Sequence, residues 1–145
     1  MKKLCHVMLS LLFMLFFPSC GNDEVENVLN VGEMMRLEGE FVSVMDNQSC
    51  EVCNNVGEFV SVVGKDTYKT GPKIDFNRSA VVVIKDTSSS GVSDIEAAFE
   101  IVEDRCEIKV SVTKDYTTVV EPWCVALVVP RVESDNTNLY IDYNF

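Results

Sequence analysis

The chain of 145 residues is poor in basic charge and has one tryptophan, four prolines and a single histidine, His6. His6 lies within the first nineteen residues, a run of Leu, Met and Phe behind Lys2 and Lys3 that reads as an export signal. Without that segment, 126 residues remain with ten basic and 23 acidic side chains, a net charge of −13 against −11 for the whole, and no histidine. Ser-His-Asp and Cys-His catalysis, His-ligated zinc or haem and a His general base are thereby excluded, since each needs an imidazole. So few Lys and Arg argue against nucleic acid, which requires clustered cations, and against electrostatic attachment to anionic lipid. No glycine-rich phosphate loop and no nucleophile elbow occurs, and neither cofactor nor metal is expected. The length suits one ordinary domain and is too small for two.

The apolar core of the leader, about 15 residues, falls short of the ~20 that a spanning helix needs. It ends in Phe17-Pro18-Ser19-Cys20, and the order of charge, apolar core, small residue and cysteine resembles a bacterial lipoprotein signal. Such signals prefer Leu and Ala or Ser where Phe17 and Pro18 stand. The resemblance implies that the Cys20 thiol takes a diacylglyceryl group and that its freed amine is acylated in turn. At ~0.8 kcal/mol per buried methylene, two chains hold a protein on a bilayer where one lets it exchange. Gly21, rather than aspartate, follows the cysteine, which favours the outer membrane. Asp23, Glu24 and Glu26 resemble the surface-export signal of lipoproteins in some anaerobic Gram-negative bacteria. The expected organisation is a signal at 1–19, an acidic tether at 20–33 and a single β domain at 34–145.

Apolar residues in that domain recur with period two, the strand signal. Ile95, Ala97, Phe99 and Ile101 alternate with acidic residues; Cys106, Ile108, Val110 and Val112 alternate with Glu107, Lys109 and Ser111; and Leu139, Ile141, Tyr143 and Phe145 close the chain. Residues 80–84 and 125–129 are apolar throughout and suit central strands covered on both faces. Turn clusters stand at 46–49, 69–73, 86–93, 114–116 and 133–138. Short strands so punctuated predict an all-β fold, an antiparallel β-sandwich or open barrel, with at most one or two short helices, the candidates being 30–37 and 57–63. The hexapeptide Gly-Glu-Phe-Val-Ser-Val occurs at 39–44 and again at 57–62, and is read as a recurring strand.

Four cysteines follow the anchor, Cys50, Cys53, Cys106 and Cys124, and an even number in an exported chain reads as disulfides. A hairpin of 106–113 with 117–124, turning at Asp115, would set Cys106 opposite Cys124 and leave Cys50 to pair with Cys53. Two alternatives stand beside this framework. Cys50-Glu51-Val52-Cys53 has redox-pair spacing but lacks an adjacent cation and a following helix. A tetrathiolate zinc site would need a second knuckle that Cys106 and Cys124 do not form. The clusters Glu103-Asp104 and Glu133-Ser134-Asp135 lack the spaced oxygens and central glycine of a calcium loop. Trp123 is either an exposed partner anchor or a filler of the second sheet face.

From Pro72 onward, Lys73-Ile74-Asp75-Phe76-Asn77-Arg78-Ser79 leads into Ala80-Val81-Val82-Val83-Ile84. A polar loop, two alternating strands, and then Glu121-Pro122-Trp123 and Ala126-Leu127-Val128-Val129-Pro130-Arg131 follow. This half of the chain resembles the C-terminal domain of PrcB-type protease-complex subunits. It departs in the loop Asp86-Thr87-Ser88-Ser89-Ser90-Gly91-Val92, which keeps only Gly91 of that family's Gly, Pro, Thr, Gly, Gly, Tyr pattern. The resemblance implies a small, non-enzymatic β domain that binds or stabilises another protein, with Asp86, Ser88 and Gly91 of that loop as candidate contacts, to which the tryptophan reading adds Trp123. The expected function is therefore an outer-membrane-anchored lipoprotein working by protein interaction or as a structural domain. The alternative is an accessory subunit or inhibitor of an exported protease.

Overall fold

The computed structural model describes residues 28–42, 48–132 and 134–145. The leader, Cys20 and its lipidation, and the acidic cluster to Glu26 lie outside the described residues. The strands are β1 (Val28–Leu29), β2 (Met34–Arg36), β3 (Ser49–Cys53), β4 (Lys73–Ile74), β5 (Ser79–Ser88), β6 (Val92–Val102), β7 (Arg105–Lys114), β8 (Glu121–Pro130) and β9 (Thr137–Asn144). Two short helices, α1 (Val56–Val63) and α2 (Lys65–Thr70), follow β3.

The antiparallel sheet β2-β8-β5-β3 packs against a second sheet, β6-β7-β9, in a sandwich-like all-β fold; β1 and β4 form a parallel pair. Strands β5 and β8 run side by side from Ser79 opposite Pro130 to Ser88 opposite Glu121. Alternate residues on them serve two cores. Ala80, Val82, Ile84, Trp123, Val125, Leu127 and Val129 face the second sheet and its Ile108, Val110 and Val112. Val81, Val83, Cys124, Ala126 and Val128 pack instead with Phe59 and Val63 of α1 and with Leu37. Cover on both faces is why these two strands carry no polar alternation, whereas β6, β7 and β9, covered on one face, alternate as the sequence predicts except at the end of β6, where the expected core residue Ile101 is exposed beyond the cover of the other sheet.

Strand β8 also explains a correction. The expected hairpin of residues 106–113 with 117–124 does not form: β7 pairs with β6 and β9, while β8 lies in the other sheet. Residues 115–120 carry the chain across the sandwich because a strand apolar on both faces needs cover on both. The outward face of β7, with Glu107 and Lys109, belongs to a sheet open to water on that side. Since β8 returns in the opposite sheet, β9 starts beside the start of β7 and the two run parallel, Cys106 opposite Thr137 and Thr113 opposite Asn144.

Residues 30–37 are not a helix. Gly32 adopts φ +92°, its N–H donates to the Val128 carbonyl at 2.8 Å, and the Val128 N–H donates to the Glu33 carbonyl at 3.0 Å. A residue in the left-handed region breaks helical repetition, and the free edge of β8 claims the backbone that a helix would use internally.

Among its described residues, the repeated hexapeptide is a strand in neither copy. At the first, Glu40–Val42 form one 3-10 turn after Gly39 at φ 151°. At the second the same residues lie in α1, whose N-cap is supplied by the preceding asparagines. Asn55 Oδ1 accepts from the Glu58 N–H at 2.9 Å and Glu58 Oε2 accepts from the Asn54 N–H at 2.7 Å, a variant of the capping box closed on the residue before the N-cap. Removing that cap with Asn55→Ala is expected to lower domain stability by about 1 kcal/mol, measured by urea unfolding. An unchanged midpoint would mean that burial of Phe59 alone holds the helix.

Candidate partner-binding end of the sandwich

The β5–β6 connection, the β7–β8 connection and the end of β9 meet at one end of the domain. Gly91 donates its N–H to Thr117 Oγ1 at 3.0 Å and accepts from the Asp115 N–H at 2.9 Å. The loops approach so closely that a Cβ at Gly91 would stand 2.5 Å from both Asp115 carboxylate oxygens and from Thr117 Oγ1. The side-chain hydroxyl and then the backbone N–H of Thr117 donate to Asp115, holding its carboxyl below the usual range. Glu121 Oε2 accepts from the Val92 N–H at 2.9 Å, while its Oε1 meets Arg36 at 2.6 Å, tying β6, β8 and β2 together.

Beneath the loops, Trp123 Nε1 donates to the Tyr143 hydroxyl at 3.2 Å, and that hydroxyl donates to Asp86 Oδ2 at 2.8 Å. Asp86 and Trp123 are direct cross-strand partners. Withdrawal from water and then the bond to Asp86 push the Tyr143 phenol up to about 12. A folded-state value above the unfolded one stabilises below pH ~10, and this contribution is lost as pH rises towards about 12. Tyr143→Phe is accordingly expected to flatten the loss of stability over that window, checked by thermal melts of both proteins across alkaline pH.

What the end presents outward is aromatic. Tyr116 is 92% exposed and Phe145 75%, their rings stacked at 6.2 Å and 22°. Lys114 Nζ lies 4.2 Å from the Phe145 ring centre and 5.8 Å from that of Tyr143, so one cation braces a half-buried ring and an exposed one. Val119 and Val120 are exposed on the same β7–β8 connection.

Of the contacts expected from the sequence, Ser88, Gly91 and Trp123 are buried and Asp86 is half-buried. They build and support this end, and Trp123 fills the inner face of its sheet. The exposed positions, Tyr116 and Phe145, went unrecognised. The period-two pattern puts Phe145 on the inward face with Tyr143, whereas Phe145 follows the end of β9 and is exposed, and the half-buried face of the strand ends with Tyr143. A tyrosine inside the turn cluster 114–116 was the available signal.

A cavity of about 880 Å³ lies along the middle of β6, β7 and β9, where Met34 of β2 joins Ala97, Val110 and Ile141 in its lining. Among the described residues no three His, Cys, Asp or Glu side chains converge to hold a metal ion, and no helix is long and apolar enough to cross a membrane.

The four cysteines carry free thiols, Cys50 exposed and Cys53, Cys106 and Cys124 buried. The register corrects both expected pairings. Cys50 and Cys53 lie on one strand, opposite Ile84 and Val81, so their side chains take opposite faces. Cys106 and Cys124 lie in different sheets and different cores. A helix does follow the motif, contrary to the expectation, since α1 begins at Val56; burial first, then Glu51 and Glu58, nonetheless push the Cys53 thiol up to about 12, the reverse of the activation a redox pair requires.

The chain matches no family model, no curated protein and no solved structure.

Proposed function

We propose that this protein is an outer-membrane lipoprotein anchored through Cys20, whose β domain is a non-enzymatic module that docks a protein partner through the Tyr116 and Phe145 end. The observation that carries this reading is the exposed aromatic stack. Two large stacked rings, Phe145 braced by Lys114 and Tyr116 lying against Phe145, stand in water on a strongly acidic domain, where large aromatic side chains with few rotatable bonds are the usual anchors of an interface. The loops beneath are cross-tied by Gly91, Asp115, Thr117 and Glu121, so the rings are presented without a large ordering cost.

The test is recovery from membranes with the acylated protein, compared with Tyr116→Ser and Phe145→Ser combined. Both residues are exposed, so the double variant keeps its melting temperature, and loss of the co-purifying protein is expected. Equal recovery from both would remove this end as the contact surface. Identification of that protein as a protease would favour the accessory-subunit reading, which the resemblance of residues 72–131 supports. Inhibition of the lipoprotein-specific signal peptidase is expected to accumulate precursor, and its absence would remove the anchor.

A further inference from the structure

The faces of the sandwich sort the four thiols. On β3, Val52 packs into the core between the sheets while Cys53 packs into the helix-side core. Side chains alternate along a strand, so Cys50, two residues before Val52, faces the second sheet. Cys106 lies fully buried in the core that this face borders. Cys53 and Cys124 share the other layer but are held apart within it: β5 runs between their strands, with Cys53 opposite Val81 and Cys124 opposite Lys85. Cys50 and Cys106 are thus the one pair that the fold turns towards each other.

Electrostatics couples them. Withdrawal from water is the first cause that raises the Cys50 thiol, to about 11. The second is the negative charge of Cys106, ahead of that of Glu51, its neighbour in sequence. The two groups therefore interact across the layer that both face, where a buried charge is screened less than one at the exposed Glu51. Cys50 is also the exposed member of the pair, the one that a soluble oxidant meets.

We propose that Cys50 and Cys106 form an inter-sheet disulfide in an oxidising compartment, fastening edge strand β3 to β7, while Cys53 and Cys124 remain thiols. With a low-molecular-weight disulfide such as glutathione disulfide as oxidant, the Cys50 thiolate attacks one sulfur and expels one glutathione thiolate. The Cys106 thiolate then attacks Cys50 Sγ, forming the protein disulfide and expelling the second glutathione. Two protein thiols are oxidised, one small disulfide is reduced, and the two protons end on the two glutathiones. Because Cys50 ionises only at high pH, closure should quicken about tenfold per pH unit below about 11.

The experiment uses the full-length acylated protein in detergent, treated with glutathione disulfide at mildly alkaline pH, quenched, alkylated in denaturant and mapped by mass spectrometry. A peptide pair joined through Cys50 and Cys106, with alkylation at Cys53 and Cys124, is expected, and Cys50→Ser should abolish the link without creating another. The wild-type map stands whether or not a variant folds. Four alkylated thiols, a glutathione adduct persisting on Cys50, or a link joining Cys50 to Cys53 or Cys106 to Cys124 would overturn the proposal.

Discussion

Trp123→Ala is expected to lower the unfolding free energy by about 3–5 kcal/mol, a large part of what holds a domain of this size together. The indole is 1% exposed and is among the largest fully buried side chains among the described residues, packed between the sheets beside Ile84 and Val112. Its removal leaves a hole that the cross-tied loops above cannot close, and it strands the Tyr143 hydroxyl with one partner, Asp86, instead of two. Trp123→Phe keeps most of the volume and loses the N–H, so it should cost less; Tyr143→Phe loses one hydroxyl and should cost about 1 kcal/mol. If the three groups act as a network, the double variant Trp123→Phe with Tyr143→Phe will cost less than the sum of the two singles. Urea unfolding supplies all four values, and a Trp123→Ala cost below about 1 kcal/mol would show that the sheets collapse onto the vacated space.

That network marks the limit of what was legible in the sequence. Periodicity located β5 through β9 because each strand's pattern of burial is written directly in its residues. The all-apolar runs of β5 and β8 even implied two layers of cover. Partnership between strands is a different quantity. The chain order β7, loop, β8 reads as a hairpin until the need of β8 for cover on both faces is weighed against the polar outward face of β7. That same property, noted for residues 125–129, was enough to reject the hairpin and with it the pairing of Cys106 with Cys124.

The repeated hexapeptide shows the complementary limit. Gly-Glu-Phe-Val-Ser-Val has strand-like composition in both places, yet the second copy is helical because Asn54 and Asn55 precede it and Glu58 answers them. Local propensity is a weak prior, and a cap plus a buried aromatic outweigh it. For the candidate site, the sequence pointed to the loop 86–93 and to Trp123, which the fold places at the same end of the domain as the exposed rings of Tyr116 and Phe145. It assigned contact to residues that turned out to be supports, since burial in a loop depends on which other loop crosses it. Gly91 is covered by Asp115 and Thr117, more than twenty residues away in the chain.

Phe59→Ala should likewise cost about 3–5 kcal/mol, and it tests whether the helical layer is part of the cooperative unit. The ring is 1% exposed, lies edge-on to Tyr68 at 6.3 Å and tilted against Phe76 at 6.1 Å, and covers the helix-side face of the sheet with Val63. Beneath it are Val81, Val83, Ala126 and Val128, which alternate along β5 and β8 with residues of the inter-sheet core. Because every second side chain on those strands belongs to the other core, loosening one layer shifts the backbone that positions the other. A single unfolding transition, moved to lower urea with unchanged slope, is therefore expected for Phe59→Ala, while Val56→Ala, on the exposed side of the same helix, should change stability by no more than about 0.5 kcal/mol. Two separate transitions, with dye binding to exposed apolar surface after the first, would show instead that α1 and α2 cap a sandwich able to stand without them.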